Sequence, residues 1–155
     1  MDLEKIGTDP DRLLRTLADF RFELRRFLHF SEHAALAAGL HPQQHQLLLQ
    51  VAGAPAATAV TIAYAAERLG LKHNSAVELV DRCEREGLLE RTVDQEDRRR
   101  AILRITRKGR QLLSRLTSDH ARELTERAPR LAAALKQIQR HARASGPDLT
   151  NTGAQ

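Results

Sequence analysis

Aromatic residues are scarce in this sequence: four Phe, one Tyr and no Trp, 3% of 155 residues. A core must therefore be assembled from Leu, Ala, Val and Ile, and the length fits one domain. Cysteine occurs once, which excludes an intrachain disulfide framework and suits a reducing compartment. No apolar run approaches the roughly 18 residues a membrane helix needs. The opening MDLEKIGTDPDR lacks the apolar centre of a secretion signal. A cytoplasmic protein without a membrane segment is expected. Enzyme signatures are missing too: there is no phosphate-cradling Gly-rich loop and no carboxylate pair in an apolar setting. Ser75 has His73 beside it, but positions i and i+2 of a helix do not face each other. No catalysis and no resident cofactor are expected.

Acidic residues are absent from Arg98 through Ser118, although the chain as a whole is only +5. The distribution of charge therefore matters more than its sum. Arg98, Arg99, Arg100, Arg104, Arg107, Lys108, Arg110 and Arg115 fall in this stretch. On a helix such a run is ordinarily a solvated face. Three consecutive arginines on a loop repel one another unless an anion lies near. Asp94, Glu96 and Asp97 can supply it locally, and a phosphate or a narrow minor groove can supply it from a partner.

The apolar residues present mark out a largely helical chain. Leu13, Leu17, Phe20, Leu24 and Phe27 fall at a 4-3-4-3 spacing, a narrow stripe close to a coiled-coil seam. It predicts packing against another helix, one from a second chain included. Gly39 and Pro42 mark a break. Leu47, Leu48, Leu49 and Val51 make the next helix apolar and buried, and Gly53-Ala54-Pro55 ends it. Ala59-Val60-Thr61 reads as a very short extended piece. A helix over Ile62–Leu69 is closed by Gly70. After the polar Lys72-His73-Asn74-Ser75, the residues Ala76, Val77, Leu79, Val80 and Cys83 form a second helical stripe up to Gly87. Two short helices joined around a glycine outline a helix-turn-helix. Leu88–Val93 and Ala101–Ile105 read as strands of a hairpin with a long charged tip. Thr106 is placed as the N-cap of a helix carrying Leu112, Leu113, Leu116 and Leu124. Pro129 interrupts that pattern and predicts a fresh helix with Leu131, Ala134, Leu135 and Ile138 on one side. The tail from Ala144 is expected to be loose.

A helix-turn-helix followed by a hairpin is a winged helix, whose second helix offers its N-terminal residues to base edges in the major groove. Here these are Lys72, His73, Asn74 and Ser75, then Val77 and Glu78, with Arg82 a turn further on. Asn reads adenine in bidentate fashion, Ser suits several bases, and Val can touch a thymine methyl. Alternatively, Asn74 or Ser75 simply caps the helix.

The stretch AAERLGLKHNSAVELVDRCEREGLLERTVDQEDRRRAILRITRKGR resembles the MarR family of bacterial winged-helix transcription regulators. The matching positions are Ala66, Leu69 and Gly70; Glu84, Gly87 and Leu88; Asp94, Asp97 and Arg99; and Ile105, Thr106 and Gly109. LHPQQHQLLLQVAG resembles the family's second helix, so the likeness runs from about Asp11 to Arg143. It implies a mainly α fold with a small β-hairpin wing: a winged helix-turn-helix at 42–105 flanked by dimerisation helices at 11–38 and 106–143, all one domain over 1–155 with a flexible tail at 144–155. It implies a homodimeric repressor of a pseudo-palindromic double-stranded DNA operator, modulated by a small-molecule effector. Arg99 would enter the minor groove, oriented by Asp97 and flanked by Arg98 and Arg100. Leu13, Leu17, Phe20, Leu24, Leu131, Leu135 and Ile138 would form the dimer interface. His29, Phe30, His33, His45 and Tyr64 would line the effector pocket. Val77 and Glu78 depart from the family's usual Thr and basic residue, and Ala65 stands where Leu is usual. Cys83 also replaces Leu and reads as a small core hydrophobe rather than a redox sensor.

Two alternatives stay open. His29 and His33, like His41 and His45, are four apart and suit zinc on one helical face, with Glu32 as a third ligand; that would make a zinc-responsive regulator. A non-specific architectural winged helix on DNA or RNA is the other.

Overall fold

The computed structural model describes residues 9–144. The expected tail and most of the N-terminal arm lie outside the described residues. Seven elements follow in order: α1 (Pro10–Ala37), α2 (Pro42–Ala52), α3 (Ile62–Leu69), α4 (His73–Arg85), β1 (Leu89–Val93), β2 (Ala101–Ile105) and α5 (Arg107–Ala144). The fold is mainly helical with one antiparallel hairpin, the winged-helix class read from the sequence. Two compact units divide it. One spans Phe30–Ala121, and the other combines the chain up to His29 with the chain from Arg122.

The Phe30–Ala121 unit holds the apolar core, built almost without aromatics. Leu40, Leu47, Leu48, Leu79, Val80, Cys83, Leu88, Leu89 and Leu103 are fully buried at its centre. Leu49, expected inside, is exposed, because it lies on the opposite side of α2 from Leu47 and Leu48. Local chemistry sets the ends of the helices. His41 caps α2: its Nδ1 accepts the Gln43 N–H (3.3 Å), and its own N–H donates to Gln44 Oε1 (2.9 Å). Thr61 caps α3 by accepting the Tyr64 N–H. Gly70 ends α3 in the left-handed conformation (φ 64°), letting Leu71 N–H reach back to Ala66 O at 2.9 Å. This turn sends the chain into α4.

β1 and β2 pair from Leu89 opposite Ile105 to Val93 opposite Ala101. The piece at Ala59-Val60-Thr61 is not a strand, yet Val60 O accepts the Leu103 N–H at 2.8 Å, so it borders β2 through one bond. Thr106 caps α5 as expected. Its Oγ1 accepts the Gly109 N–H (3.1 Å) and donates to the carbonyl of Gly87 at 2.7 Å. Gly109 is required here, since a Cβ would stand 2.3 Å from Leu88 O.

In the other unit the chain corrects one expectation. A fresh helix after Pro129 does not form: α5 runs unbroken from Arg107 to Ala144 with Pro129 inside it. Proline removes one backbone donor, but Arg127 and Arg130, on either side of it, both bind Glu23 of α1 (2.8 and 3.1 Å) and hold the helix to its course. Within the chain α1 packs through a neighbouring seam. Thr16 and Glu23 are buried with Leu13, Phe20 and Phe27 half-buried beside them, whereas Leu17 and Leu24 are 38% and 37% exposed. Thr16 Oγ1 bonds Arg12 O and Gln137 Oε1, both at 2.9 Å, which satisfies a buried hydroxyl. Among the described residues no helix is long and apolar enough to cross a membrane.

Candidate nucleic-acid interface

α4 starts at His73, and its N-cap is Lys72, which makes no side-chain capping bond. The capping alternative for Asn74 and Ser75 is therefore overturned: both sit inside the first turn and are exposed. Lys72, His73, Glu78 and Arg82 are exposed as well, while Val77 is half-buried. Asn74, Glu78 and Arg82 are four apart and make one solvent-facing stripe. Glu78 thus shares the outer face rather than turning inward. The opposite face, Ala76, Leu79, Val80 and Cys83, is buried.

The wing tip sorts its own charges. Asp94 Oδ2 takes the Arg100 guanidinium at 2.7 Å, and Asp94 Oδ1 accepts the Glu96 N–H at 3.0 Å. These bonds, the backbone one first, hold the Asp94 carboxyl below its ordinary range. Asp97 Oδ1 accepts the Arg99 N–H (3.0 Å) and lies 3.5 Å from its Nε, so it fixes the backbone on which Arg99 stands. Arg100 is committed to the two aspartates. The Arg99 side chain remains 93% exposed, and Arg98 is exposed too. Two cations therefore project from a tip whose backbone is internally tied.

A second set of contacts was not anticipated. Arg91 of β1 pairs with Asp81 and with Glu84 Oε2 (3.0 Å), both on α4, while Glu84 Oε1 accepts the Arg91 N–H at 3.1 Å. A cleft of about 460 Å³ lies alongside, lined by Asp81, Glu84 and Arg85. The only sequence signal for this cluster is two acids three apart on a helix and an arginine two places after a buried strand leucine.

Phe30 and His45 are brought together through His120: the Phe30 ring meets His120 edge-on at 5.4 Å between centroids, and His45 lies 4.8 Å from His120. His120 was missed, being 75 positions from His45. Its Nε2 lies 2.8 Å from Ser31 Oγ and its Nδ1 2.6 Å from Leu116 O. His45 is 2% exposed, and its Nδ1 has no hydrogen-bond partner. Burial above all, then the neighbouring His120, pushes its pKa down to about 4. Tyr64 packs at the margin of the apolar core, and His29 and His33 are exposed.

Among the described residues no three His, Cys, Asp or Glu side chains are arranged to hold a metal ion, those of His29, Glu32 and His33 included. His41 is occupied as the cap of α2. Cys83 is wholly buried, and desolvation first of all pushes its thiol up to about 12, the state of a packed, unreactive side chain.

The expected dimer residues are divided in the single chain. Leu13, Phe20, Leu131 and Ile138 are half-buried, whereas Leu17, Leu24 and Leu135 are exposed. Leu14, Phe22, Leu28 and Leu36 add further exposed apolar surface on α1.

A helix-turn-helix delivering an exposed polar first turn, followed by a hairpin with an arginine tip, defines the chain as a winged helix-turn-helix protein. Residues 38–100 match the model of the MarR family. The resemblance read from the sequence is thus borne out. Solved structures show the same fold. The PcaV transcriptional regulator from Streptomyces coelicolor is 26% identical, with 89% of this chain and 98% of that one covered and a TM-score of 0.55. CouR from Rhodococcus jostii RHA1, bound to p-coumaroyl-CoA, is 24% identical over 80% and 87% of the two chains, with a TM-score of 0.61. MepR of S. aureus in complex with DNA is 22% identical over 77% and 94%, with a TM-score of 0.56. No curated protein matches the chain. The matched family and these neighbours are transcription regulators.

Proposed function

We propose that the protein is a cytoplasmic, homodimeric repressor that binds a pseudo-palindromic duplex DNA operator and is modulated by a small-molecule effector. The observation that carries this reading is the pair of exposed reading surfaces: the uncapped first turn of α4, and Arg99, which stands clear of the wing while Arg100 is neutralised by Asp94. The MepR complex with DNA supports duplex DNA as the partner, and CouR with its bound thioester supports an effector. Residues 42–105 form the reading head in this account. Lys72, His73, Asn74, Ser75, Val77, Glu78 and Arg82 face the major groove, and Arg98 and Arg99 enter the minor groove, with Asp97 and Arg100 bracing them. The helices at 11–38 and 106–143 supply the dimer contacts, in keeping with the apolar side chains left exposed on α1 and with Leu135 on α5. Phe30, His45 and Tyr64, with His29 and His33, are assigned to the effector. The protein acts by binding, not by catalysis.

Selection of genomic fragments by the purified protein, followed by footprinting, tests the reading. A protected pseudo-palindrome is expected, with half-site centres about one helical turn apart. Affinity should fall steeply with salt as phosphate contacts release counterions. Arg99→Ala should weaken binding to all sequences. Asn74→Ala should relax preference at one base pair by about 1–3 kcal/mol. Equal affinity for random and selected DNA, or wild-type binding by both variants, would sink it.

A further inference from the structure

The wing leaves the packed body at one rung of the hairpin, Arg91 opposite Leu103. Both backbone N–H groups of this rung are taken by elements outside the hairpin, as suits a rung whose N–H groups point away from the partner strand. Leu103 donates to Val60 O (2.8 Å) on one edge, and Arg91 donates to Glu84 Oε1 (3.1 Å) on the other. The Arg91 guanidinium goes the same way, to Asp81 and to Glu84 Oε2 at 3.0 Å. Glu84 thus uses both oxygens on a single residue, one for its backbone and one for its side chain.

Along the same face of β1, Leu89 is buried, Arg91 is half-buried and Val93 is 66% exposed. Arg91 is therefore the last residue of that face tied to α4. Past it the tip is held by its own internal bonds, Asp94 with Arg100 and Asp97 with Arg99. At about 3.3 Å per residue, Asp94 already stands about 10 Å beyond the rung, so a rock of about 10° moves it by about 2 Å. That exceeds the tolerance of about 0.5 Å for a preorganised contact. Half-exposed ion pairs add little to stability, so what this one contributes is orientation. A forked, planar guanidinium fixes an angle where a lysine ammonium does not.

We propose that Arg91, clamped by Asp81 and Glu84, is the positioning residue that sets the angle of the wing against α4, so that Arg99 and the first turn of α4 engage one duplex together. This rests on the DNA-binding reading above.

The test uses the full chain and a duplex carrying the selected operator, with Arg91→Gln, Arg91→Lys, Arg99→Ala and Asn74→Ala alone and combined. Arg91→Gln should weaken binding about tenfold, yet by no more than about threefold when Arg99 is already Ala, because of the two wing cations only Arg98 then remains. Combined with Asn74→Ala, its effect should multiply in full. Arg91→Lys should follow Arg91→Gln, lacking the fork. A general loss of structure would lower affinity equally in all backgrounds, so full multiplication with Arg99→Ala, or wild-type affinity of Arg91→Gln, overturns the proposal. Glu84→Gln, which keeps an acceptor for the Arg91 N–H and removes one ion pair, should give the same pattern more weakly if Arg91→Gln fails to fold. Amide hydrogen exchange without DNA reads the clamp directly. Exchange across 89–105 should quicken in Arg91→Gln while α2 keeps its rates, and unchanged exchange overturns the clamp. Failure of the wild type to bind any duplex would instead overturn the DNA reading, with the exchange result still deciding on the clamp.

Discussion

Arg127 of α5 and Glu23 of α1 are joined by an ion pair of 2.8 Å, with both side chains largely withdrawn from water. Arg130 binds the second Glu23 oxygen at 3.1 Å, and Glu123 takes the other side of the Arg127 guanidinium. The bond from Arg130, then that from Arg127, outweighs desolvation and holds the Glu23 carboxyl below its ordinary value of 4.5. A carboxyl lowered in the folded state contributes stability above its unfolded pKa and loses it as the pH falls through the folded one. Glu23→Gln should therefore unfold at lower urea than wild type at pH 7, and the gap should close as the pH drops below about 4.5. Urea titrations from pH 7 to pH 3 at fixed protein concentration check this; a gap independent of pH would refute it.

His45 has the same sign of dependence for a different reason. Burial lowers its pKa from 6.5 to about 4, so between those values the unfolded chain takes up a proton that the folded one refuses. Stability is complete above pH 6.5 and declines as the pH falls toward about 4. The slope from one proton is at most about 1.4 kcal/mol per pH unit. His45→Leu should flatten this part of the profile, measured by chemical unfolding in steps of half a pH unit. An unaltered slope in that variant would place the titration elsewhere.

What was legible in the sequence is what is decided locally. Gly70 and Thr106 could be placed because a left-handed turn and a side-chain cap depend on neighbours within four residues. The tip aspartates could be read as partners of the arginines for the same reason. The stripe Leu13, Leu17, Phe20, Leu24, Phe27 did not reveal that α1 also packs within the chain through Thr16 and Glu23. Apolar periodicity gives no weight to Thr16 or Glu23, which are buried because Gln137, Arg127 and Arg130 satisfy them from more than a hundred residues away. Arg91 with Asp81 and Glu84, and His45 with His120, were missed for the same reason: the fold, not the spacing, makes them neighbours. Pro129 misled because a proline's local cost says nothing of the ion pairs that offset it.

The glycines at 70 and 109 should respond differently to alanine. At Gly70 nothing lies within 4 Å of an added Cβ, and the cost is the left-handed backbone alone, about 1 kcal/mol. At Gly109 the Cβ would meet Leu88 O at 2.3 Å and Ile105 Cγ1 at 3.0 Å, so α5 must shift away from the start of β1. Gly109→Ala should cost about 2 kcal/mol or more. Thermal unfolding of the two variants side by side gives the ranking; equal costs would mean that the approach of α5 to Leu88 is looser than described.

The exposed leucines of α1 make the strongest demand on a partner. Leu14, Leu17, Leu24 and Leu28 lie on neighbouring turns outside the Thr16–Glu23 seam, with Arg21 among them. Full burial of an exposed leucine contributes about 1.5–3 kcal/mol, and Leu17 and Leu24 have 38% and 37% of their surface left to bury, so two per protomer across a twofold axis account for about 2–4 kcal/mol of association. Leu17→Glu with Leu24→Glu should therefore weaken self-association by about a hundredfold or more. It should also leave the Thr16–Gln137 and Glu23–Arg127 contacts within each chain in place. Sedimentation equilibrium over a range of concentrations measures the first, and helical content by circular dichroism measures the second. Operator binding should fall together with dimer content, because a single reading head engages only one half-site. A variant that sediments as wild type would move the association surface off this face of α1 and onto another apolar stretch, with Leu36 and Leu135 the next to substitute.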